Sequence, residues 1–476
     1  MRRPGRALLG LFLSLATLAD AAAQENKDLE LIPPSIQTSG STGSEAGKAG
    51  AQQAAANSGH GKVYLENALT LSSVRNDLVV PLPPPNAPDW ENRTSIDATE
   101  QWNLGSKFTA SVSDRFNLTG EQHIEYPSSQ IVRNDFREGY LTWEALTRTY
   151  LEAGRINLRN GIALGFNPTD FFKGRTLLDQ ASLDPSVIRE DRLGTLMVRG
   201  QTIWTGGSAS VAFAPKLYDP SAITEAVPYG FSPRFDHTNA SNRFLGSLNL
   251  DVADLSPQAL IYHEGRQTLL GANLSRPVGQ SIVIYGEWSG GNQSSLIAQA
   301  LHYGQETGTL PEYAPVLPPS STKDRFDSAL SIGGSWSSAA KVTVNLEYHY
   351  YEPGLSRQEL RDWFRIGATS PDSLLVTGDL WYLRGFANDQ QQPWVQQQLF
   401  VRLDWVDAFV PHLELTAFAF VDLYDGSVLS QLSANYYLSD SWTIGAYASR
   451  NAGSARSERG SNPQAANVIV QLLRYF

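Results

Sequence analysis

The chain of 476 residues carries 37 basic and 48 acidic side chains, a formal charge of −11, and no cysteine. The missing thiols exclude disulfides, thiolate metal sites, a cysteine nucleophile and a lipid-anchored cysteine. The acidic balance has the wrong sign for nucleic-acid binding.

Aromatic residues are frequent (11 Trp, 19 Tyr, 19 Phe), yet mean hydropathy is −0.27. That pairing is odd for a soluble enzyme. It is usual for a transmembrane barrel, whose outer face is apolar and whose lumen is polar. Of the 37 basic residues only eight are Lys, and Arg is the better cation for a fixed network of carboxylates.

In chain order, residues 1–23 read as a secretory signal peptide. Arg2, Arg3 and Arg6 precede the apolar run Ala7 to Leu18, which is too short to span a bilayer, and Ala21 to Ala23 form a small-residue cleavage site. Residues 24–61 are small and polar and read as a disordered leader. From residue 62 to 476 the hydrophobic pattern has period two. In KVTVNLEYHY, Val342, Val344, Leu346, Tyr348 and Tyr350 share one face, and Lys341, Thr343, Asn345, Glu347 and His349 the other. QLFVRLDW, HLELTAFAFVD and VLSQLSANYYL alternate in the same way.

Short turns are expected at Ser113-Asp114, Leu146 to Arg148, Thr205-Gly206, Ala253 to Ser256, Pro277 to Gly279, Ser337 to Ala340, Asp407 to Pro411 and Ser439-Asp440. Between them lie mostly long segments near 73–94, 126–133, 157–191, 215–239, 290–325, 351–393 and 451–465, with tight connections at Gly265-Arg266 and Asp425-Gly426. The expected fold is all-β: an antiparallel transmembrane barrel of about 18 strands, with 16 as the alternative. Long outer loops alternate with short periplasmic turns. Peptide groups find no water in a bilayer, so only helices or closed sheets can cross it.

The polar segment 151–194 holds the candidate site. Ile162, Leu164, Phe166, Phe171 and Phe172 should pack on the barrel wall and fold the loop inward. That would bring Arg155, Arg159, Asp170, Lys173, Arg175 and Asp179 to a narrowing in which opposed charges set selectivity. Asp170 could also cap the Phe171-Phe172 turn. Arg199 is placed with this set, and Glu347, Arg402, Asp404 and Glu414 are read as a lumen ladder. A second loop carries a capping box, Ser356-x-x-Glu359, before a short helix with the stripe Leu360, Trp363 and Phe364. That helix could cap the pore or pack on other loops.

The seven His residues form no paired motif, so no metal, cofactor or enzymatic activity is expected. His237 and Ser241 only loosely resemble the His and Ser of outer-membrane phospholipases, and their spacing departs from that motif. The closing strand places Val468, Val470, Leu472 and Phe476 on one face. It resembles the C-terminal signal read by the barrel-assembly machinery, with a departure at Arg474. The stretch EGYLTWEALTRTYLEAGRINLRNGIALGFNPTDFF resembles the layout of porin-like outer-membrane barrels of unknown substrate and, more loosely, of the alginate-export barrel, through Gly154-Arg155 and Arg159-Asn160-Gly161.

The resemblance implies a multi-pass protein of the cell outer membrane, with outer-membrane lipid and the assembly machinery as partners. It implies a channel for passive diffusion of small hydrophilic solutes, constricted by residues 157–191. A polysaccharide exporter and an outer-membrane hydrolase are the alternatives.

Overall fold

In the computed structural model, residues 61–83, 88–121, 131–217, 229–230, 234–252, 254–310, 318–320 and 324–476 are described. The expected signal peptide and leader lie outside them. Eighteen long strands alternate along the chain. They are β1 (Lys62–Val74), β2 (Trp90–Asn103), β3 (Phe108–Glu121), β4 (Val132–Leu146), β5 (Thr149–Ile156), β6 (Thr195–Trp204), β7 (Gly207–Ala214), β8 (Arg243–Leu250) and β9 (Gln258–Glu264). The second half comprises β10 (Gln267–Val278), β11 (Ile282–Gln293), β12 (Arg325–Ser337), β13 (Val342–Tyr351), β14 (Gln397–Trp405), β15 (Leu413–Asp422), β16 (Val428–Ser439), β17 (Trp442–Ala452) and β18 (Gln464–Tyr475). Each pairs antiparallel with its neighbours in sequence. β1 pairs with β18 from Tyr64↔Tyr475 to Leu71↔Val468, and the Phe476 amide donates to the Val63 carbonyl at 2.9 Å. The sheet is therefore closed and leaves no long edge. Tyr229–Gly230 adds a two-residue parallel pairing to the start of β4.

The period-two faces sort as the sequence dictates. Leu346, Leu432, Val468, Val470 and Leu472 project outward and are exposed, while Asn345, Glu347, His349, Arg402 and Asp404 point inward and are buried. The outer wall is thus a continuous apolar surface, far larger than a protein in water leaves uncovered. Trp102, Phe108, Trp143, Trp204, Trp336 and Trp442 are exposed near the short-turn ends of their strands, as in the aromatic girdle of a membrane barrel. Among the described residues no helix is long and apolar enough to cross a membrane.

One expected turn is misplaced. Ser113-Asp114 lies inside β3, and the hairpin closes instead at residues 104–107, where Gly105 has φ +96°. A positive φ suits glycine there. The polar run around Ser113 imitates a turn because the inward residues Ser113, Arg115 and Asn117 are joined there by Asp114 on the other face. A register shift does occur at Ser113/Asp114, where β4 carries one extra residue, Arg137. The other expected short turns fall at strand junctions, with Leu146, Pro277, Val278, Ser337 and Ser439 still in their strands and Ala253 outside the described residues.

Among the described residues five helices lie in the outer connections: α1 (Pro185–Glu190), α2 (Phe235–Thr238), α3 (Leu296–Glu306), α4 (Arg357–Thr369) and α5 (Leu374–Asp389). The capping box of α4 forms, with Ser356 and Glu359 bonding reciprocally. Helices α3, α4 and α5 share an apolar core around Trp363, Leu380, Leu383, Leu296 and Val80. The Trp363 indole donates to the Leu380 carbonyl at 2.9 Å, and Trp381 donates to the Pro81 carbonyl at 2.9 Å. Arg384 reaches the last outer loop at Ser461, 3.0 Å, and at the Glu458 carbonyl, 2.8 Å. The helices therefore join four outer connections into one cap.

Candidate pore constriction

The connection between β5 and β6 folds into the lumen. Its apolar side chains supply the first reason: Ile162 packs with Tyr285, Phe166 with Ala329 and Tyr351, and Phe172 with Tyr262 and Leu245. Phe171 stacks on Tyr262 with ring centroids 4.6 Å apart. Loop hydrophobics thus bury against the inner wall of β8 to β13.

Two inward carboxylates supply the second reason. Glu287 of β11 accepts from the amides of Ile162 and Ala163. Glu347 of β13 accepts from Leu164 at 2.7 Å and Gly165 at 2.9 Å, and also from the Tyr285 hydroxyl at 2.6 Å. Four consecutive amides are held by two strands. Ordinary loops leave such amides to water; inside a barrel they need fixed acceptors, and ionised ones are the strongest. His349 lies 2.8 Å from Glu347. Thr169 adds a bond to Asn273 at 2.9 Å, and Ser331 donates to the Phe166 carbonyl at 2.6 Å.

Beyond residue 175 the segment reaches other parts of the wall. Asp184 caps α1 through the Ser186 amide at 3.0 Å and pairs with Arg402 of β14 at 2.8 Å. The Leu183 amide donates to Gln431 of β16 at 2.9 Å. Asp179 pairs with Arg133 at 2.6 Å, and Asp191 with Arg137 at 3.0 Å, both on β4. The one segment therefore touches β4, β8 to β14 and β16, and crosses the lumen.

Sequence reasoning named a set of site residues, and the structure divides it. Asp170 and Lys173 are buried within the inward segment. Asp170 binds Arg192 through both oxygens, at 2.9 and 3.0 Å, with Arg189 at 3.5 Å. Its carboxylate is spent on these cations and does not cap the Phe171-Phe172 turn. Burial alone would raise the Asp170 carboxyl, but the two guanidiniums outweigh it and hold it below the usual range. Lys173 donates to the Asn167 carbonyl at 2.8 Å and lies 4.3 Å from the Phe166 ring centroid. Burial lowers its ammonium to about 7. Arg175 stacks over Tyr303 at 4.8 Å. Arg155 is fully buried in β5, donating to the Gly194 carbonyl at 2.9 Å, so it secures the return of the loop. Arg159 is exposed, 4.0 Å from Glu190.

Arg199 stays apart from this set, in a wall pair with Glu152 at 3.0 Å. Glu347 is not a rung of an Arg–carboxylate ladder, because the loop occupies it. Arg402 and Asp404 lie 3.5 Å apart, and Asp404 accepts from Thr416 at 2.7 Å. Glu414 accepts from Tyr437.

The densest ladder was missed. Glu66 joins Arg93 at 2.8 Å and Arg115 at 2.9 Å, and Asp97 joins Arg115 at 3.3 Å and Arg137 at 2.6 Å. Its signal is the alternation Arg93, Ser95, Asp97 on β2 with Arg115, Asn117 on β3. The spurious turn at Ser113-Asp114 concealed it. Also missed were Glu287, Arg192 and Arg243. Among the described residues no cluster of three or more His, Asp or Glu could hold a metal. Ser241 donates its hydroxyl to Glu264.

No family model and no curated protein matches the sequence. Several solved structures are similar in shape. OccK11 (OpdR) of Pseudomonas aeruginosa is 10% identical with a TM-score of 0.45, over 87% of this chain and 95% of that one. A mutant of the Rhodopseudomonas blastica porin is 8% identical with a TM-score of 0.39, over 88% and 99%. Salmonella typhi OmpF, in complex with daunomycin, is 6% identical with a TM-score of 0.40, over 88% and 97%.

Proposed function

We propose that this chain is a non-enzymatic outer-membrane channel through which small hydrophilic solutes diffuse passively, narrowed by the inward segment of residues 157–191. The observation that supports this most is the combination of a closed barrel, an apolar outer wall and a lumen crossed by a charged loop pinned to Glu287 and Glu347. Such a wall satisfies its peptide groups within the sheet and presents apolar side chains to lipid. Such a loop sets pore width and the charges a solute passes. Diffusion needs no nucleotide or ion-coupling element.

The test is planar-bilayer recording of the refolded mature protein under a salt gradient. Wild type should show steady unitary conductance with a defined reversal potential. Arg155→Ala/Arg159→Ala should change that potential, chiefly through Arg159, whose guanidinium is exposed. A correctly folded barrel that never conducts overturns the reading.

A further inference from the structure

Between the inward segment, the wall from β8 to β13 and the outer cap lies a cavity of about 100 Å³. It has room for a few waters or for one small oxyanion. Lys173, Arg175 and Arg243 all line it, with Gln293, Gln390 and Gln392. Among the described residues none of these three cations makes an ion pair with a carboxylate; each instead lies over a ring, of Phe166, Tyr303 and Phe172 respectively.

The carboxylates that border the cavity are already engaged. Asp170 is held by Arg192, and Glu264 accepts from the Tyr262 hydroxyl at 2.7 Å and from Ser241. The Arg175 Nε and Nη1 atoms and the Arg243 Nε atom are buried, and no protein group accepts from them. Arg243 is itself 4% exposed. Buried guanidinium donors are normally satisfied. Arg243 spends its Nη2 on the Thr238 carbonyl and on the Thr195 hydroxyl at 3.2 Å, but these three donors stay unmet beside a cavity lined by three cations and two carboxylates. The Asp389 and Glu264 carboxylates act on Arg175 through space, and neither forms an ion pair with it.

We infer that this cavity is a binding site for a small oxyanion, either a free anion or the carboxylate, sulfate or phosphate group of a passing solute. The inference rests on the channel reading only for the second of these. The planar guanidinium fork of Arg175 suits two-oxygen recognition, and Lys173 adds a point charge beside it. Gln390 and Gln392 belong to the connection that follows α5, and Gln391 bonds the Lys173 carbonyl at 2.6 Å and Thr176 at 2.9 Å. The cap and the inward segment therefore meet at this site.

The experiment is calorimetric titration of the refolded full chain in detergent micelles, with sulfate and with acetate at constant ionic strength. Folding is checked by β circular dichroism and by heat-dependent gel migration. Saturable binding is expected for at least one probe, and which one binds separates sulfate-like from carboxylate-like recognition. Arg175→Gln should weaken it at least tenfold. This variant should fold, because among the described residues the Arg175 side chain donates no hydrogen bond to the protein. Lys173→Gln is a second variant with the same expected direction, and Lys341→Gln, in the short turn after β12 and outside the cavity, should bind as wild type. No saturable heat with either probe, or unchanged affinity in both Arg175→Gln and Lys173→Gln, overturns the site. A barrel that conducts but binds neither anion loses this inference alone. One that binds but does not conduct loses the channel and keeps the site.

Discussion

Replacing Glu347 by Ala removes the acceptor for the amides of Leu164 and Gly165 and for the Tyr285 hydroxyl. These three donors, and His349, which lies 2.8 Å from the carboxylate, are left facing a gap beside Phe166 and Phe400. A bond to a charged group contributes about 1.5–3 kcal/mol, and each donor stranded in a buried site costs about 1–3 kcal/mol. Water entering from the lumen recovers part of this, so a net loss of about 3 kcal/mol for the docked loop is reasonable. That corresponds to a roughly 100-fold rise in the population of the undocked loop. The wall itself should persist, because the β12–β13 and β13–β14 ladders do not involve this carboxylate. The assay is hydrogen–deuterium exchange of peptides spanning 158–175 in micelles, alongside single-channel recording. Exchange should quicken by about two orders of magnitude, and the current should become noisier with larger open levels. If protection of 162–165 and the current both match wild type, the carboxylate does not hold the loop.

Other expectations follow from the same geometry. Glu287→Gln should act in the same direction as Glu347→Ala but less strongly, since an amide retains one acceptor; exchange at Ile162 and Ala163 reads this. Lys173 is buried against Asp170, Glu287, Arg192 and Arg189, and its ammonium is lowered to about 7 by burial. The unfolded chain therefore binds more protons than the folded one between about pH 7 and the free-lysine value near 10.4. Stability should rise across that window by on the order of 4 kcal/mol, and urea midpoints of Lys173→Met should lose that slope. Trp363→Ala should cost the cap about 3–5 kcal/mol. Trypsin should then cut within α4 at Arg357, Arg361 or Arg365 while the barrel fragment survives on gels. Deleting Phe476 removes one closing bond to Val63 and should lower the yield of folded barrel in outer-membrane fractions.

The barrel was legible because alternation at period two survives wherever one face meets an apolar medium and the other meets polar groups. Leu346 against Glu347 and Leu403 against Arg402 carry that signal residue by residue. The inward fold of 157–191 was also readable, since Ile162, Phe166 and Phe172 have no reason to sit in an exposed loop. The partners of the charges were not readable. Glu287 and Ile162 are 125 residues apart, and nothing local says that a strand carboxylate will accept a loop amide. Asp170 looked like a cap because sequence shows its neighbour Phe171 but not Arg192 across the fold. Glu347 looked like a rung because it sits on the polar face of its strand, whereas its acceptor capacity is spent on the loop. The Arg93–Glu66–Arg115–Asp97 ladder was lost through one misplaced turn, since a polar inward strand and a polar turn share their composition.

Unitary conductance of wild type against a variant with residues 158–191 replaced by a short Gly-Ser link tests the account most directly. Both proteins are first shown to be folded by heat-dependent gel migration. The account predicts steady current from wild type and a several-fold larger current, with weaker ion preference, from the shortened chain. Equal currents would mean that the inward segment is not the constriction. Silence from both folded barrels would mean that the protein is not a diffusion channel.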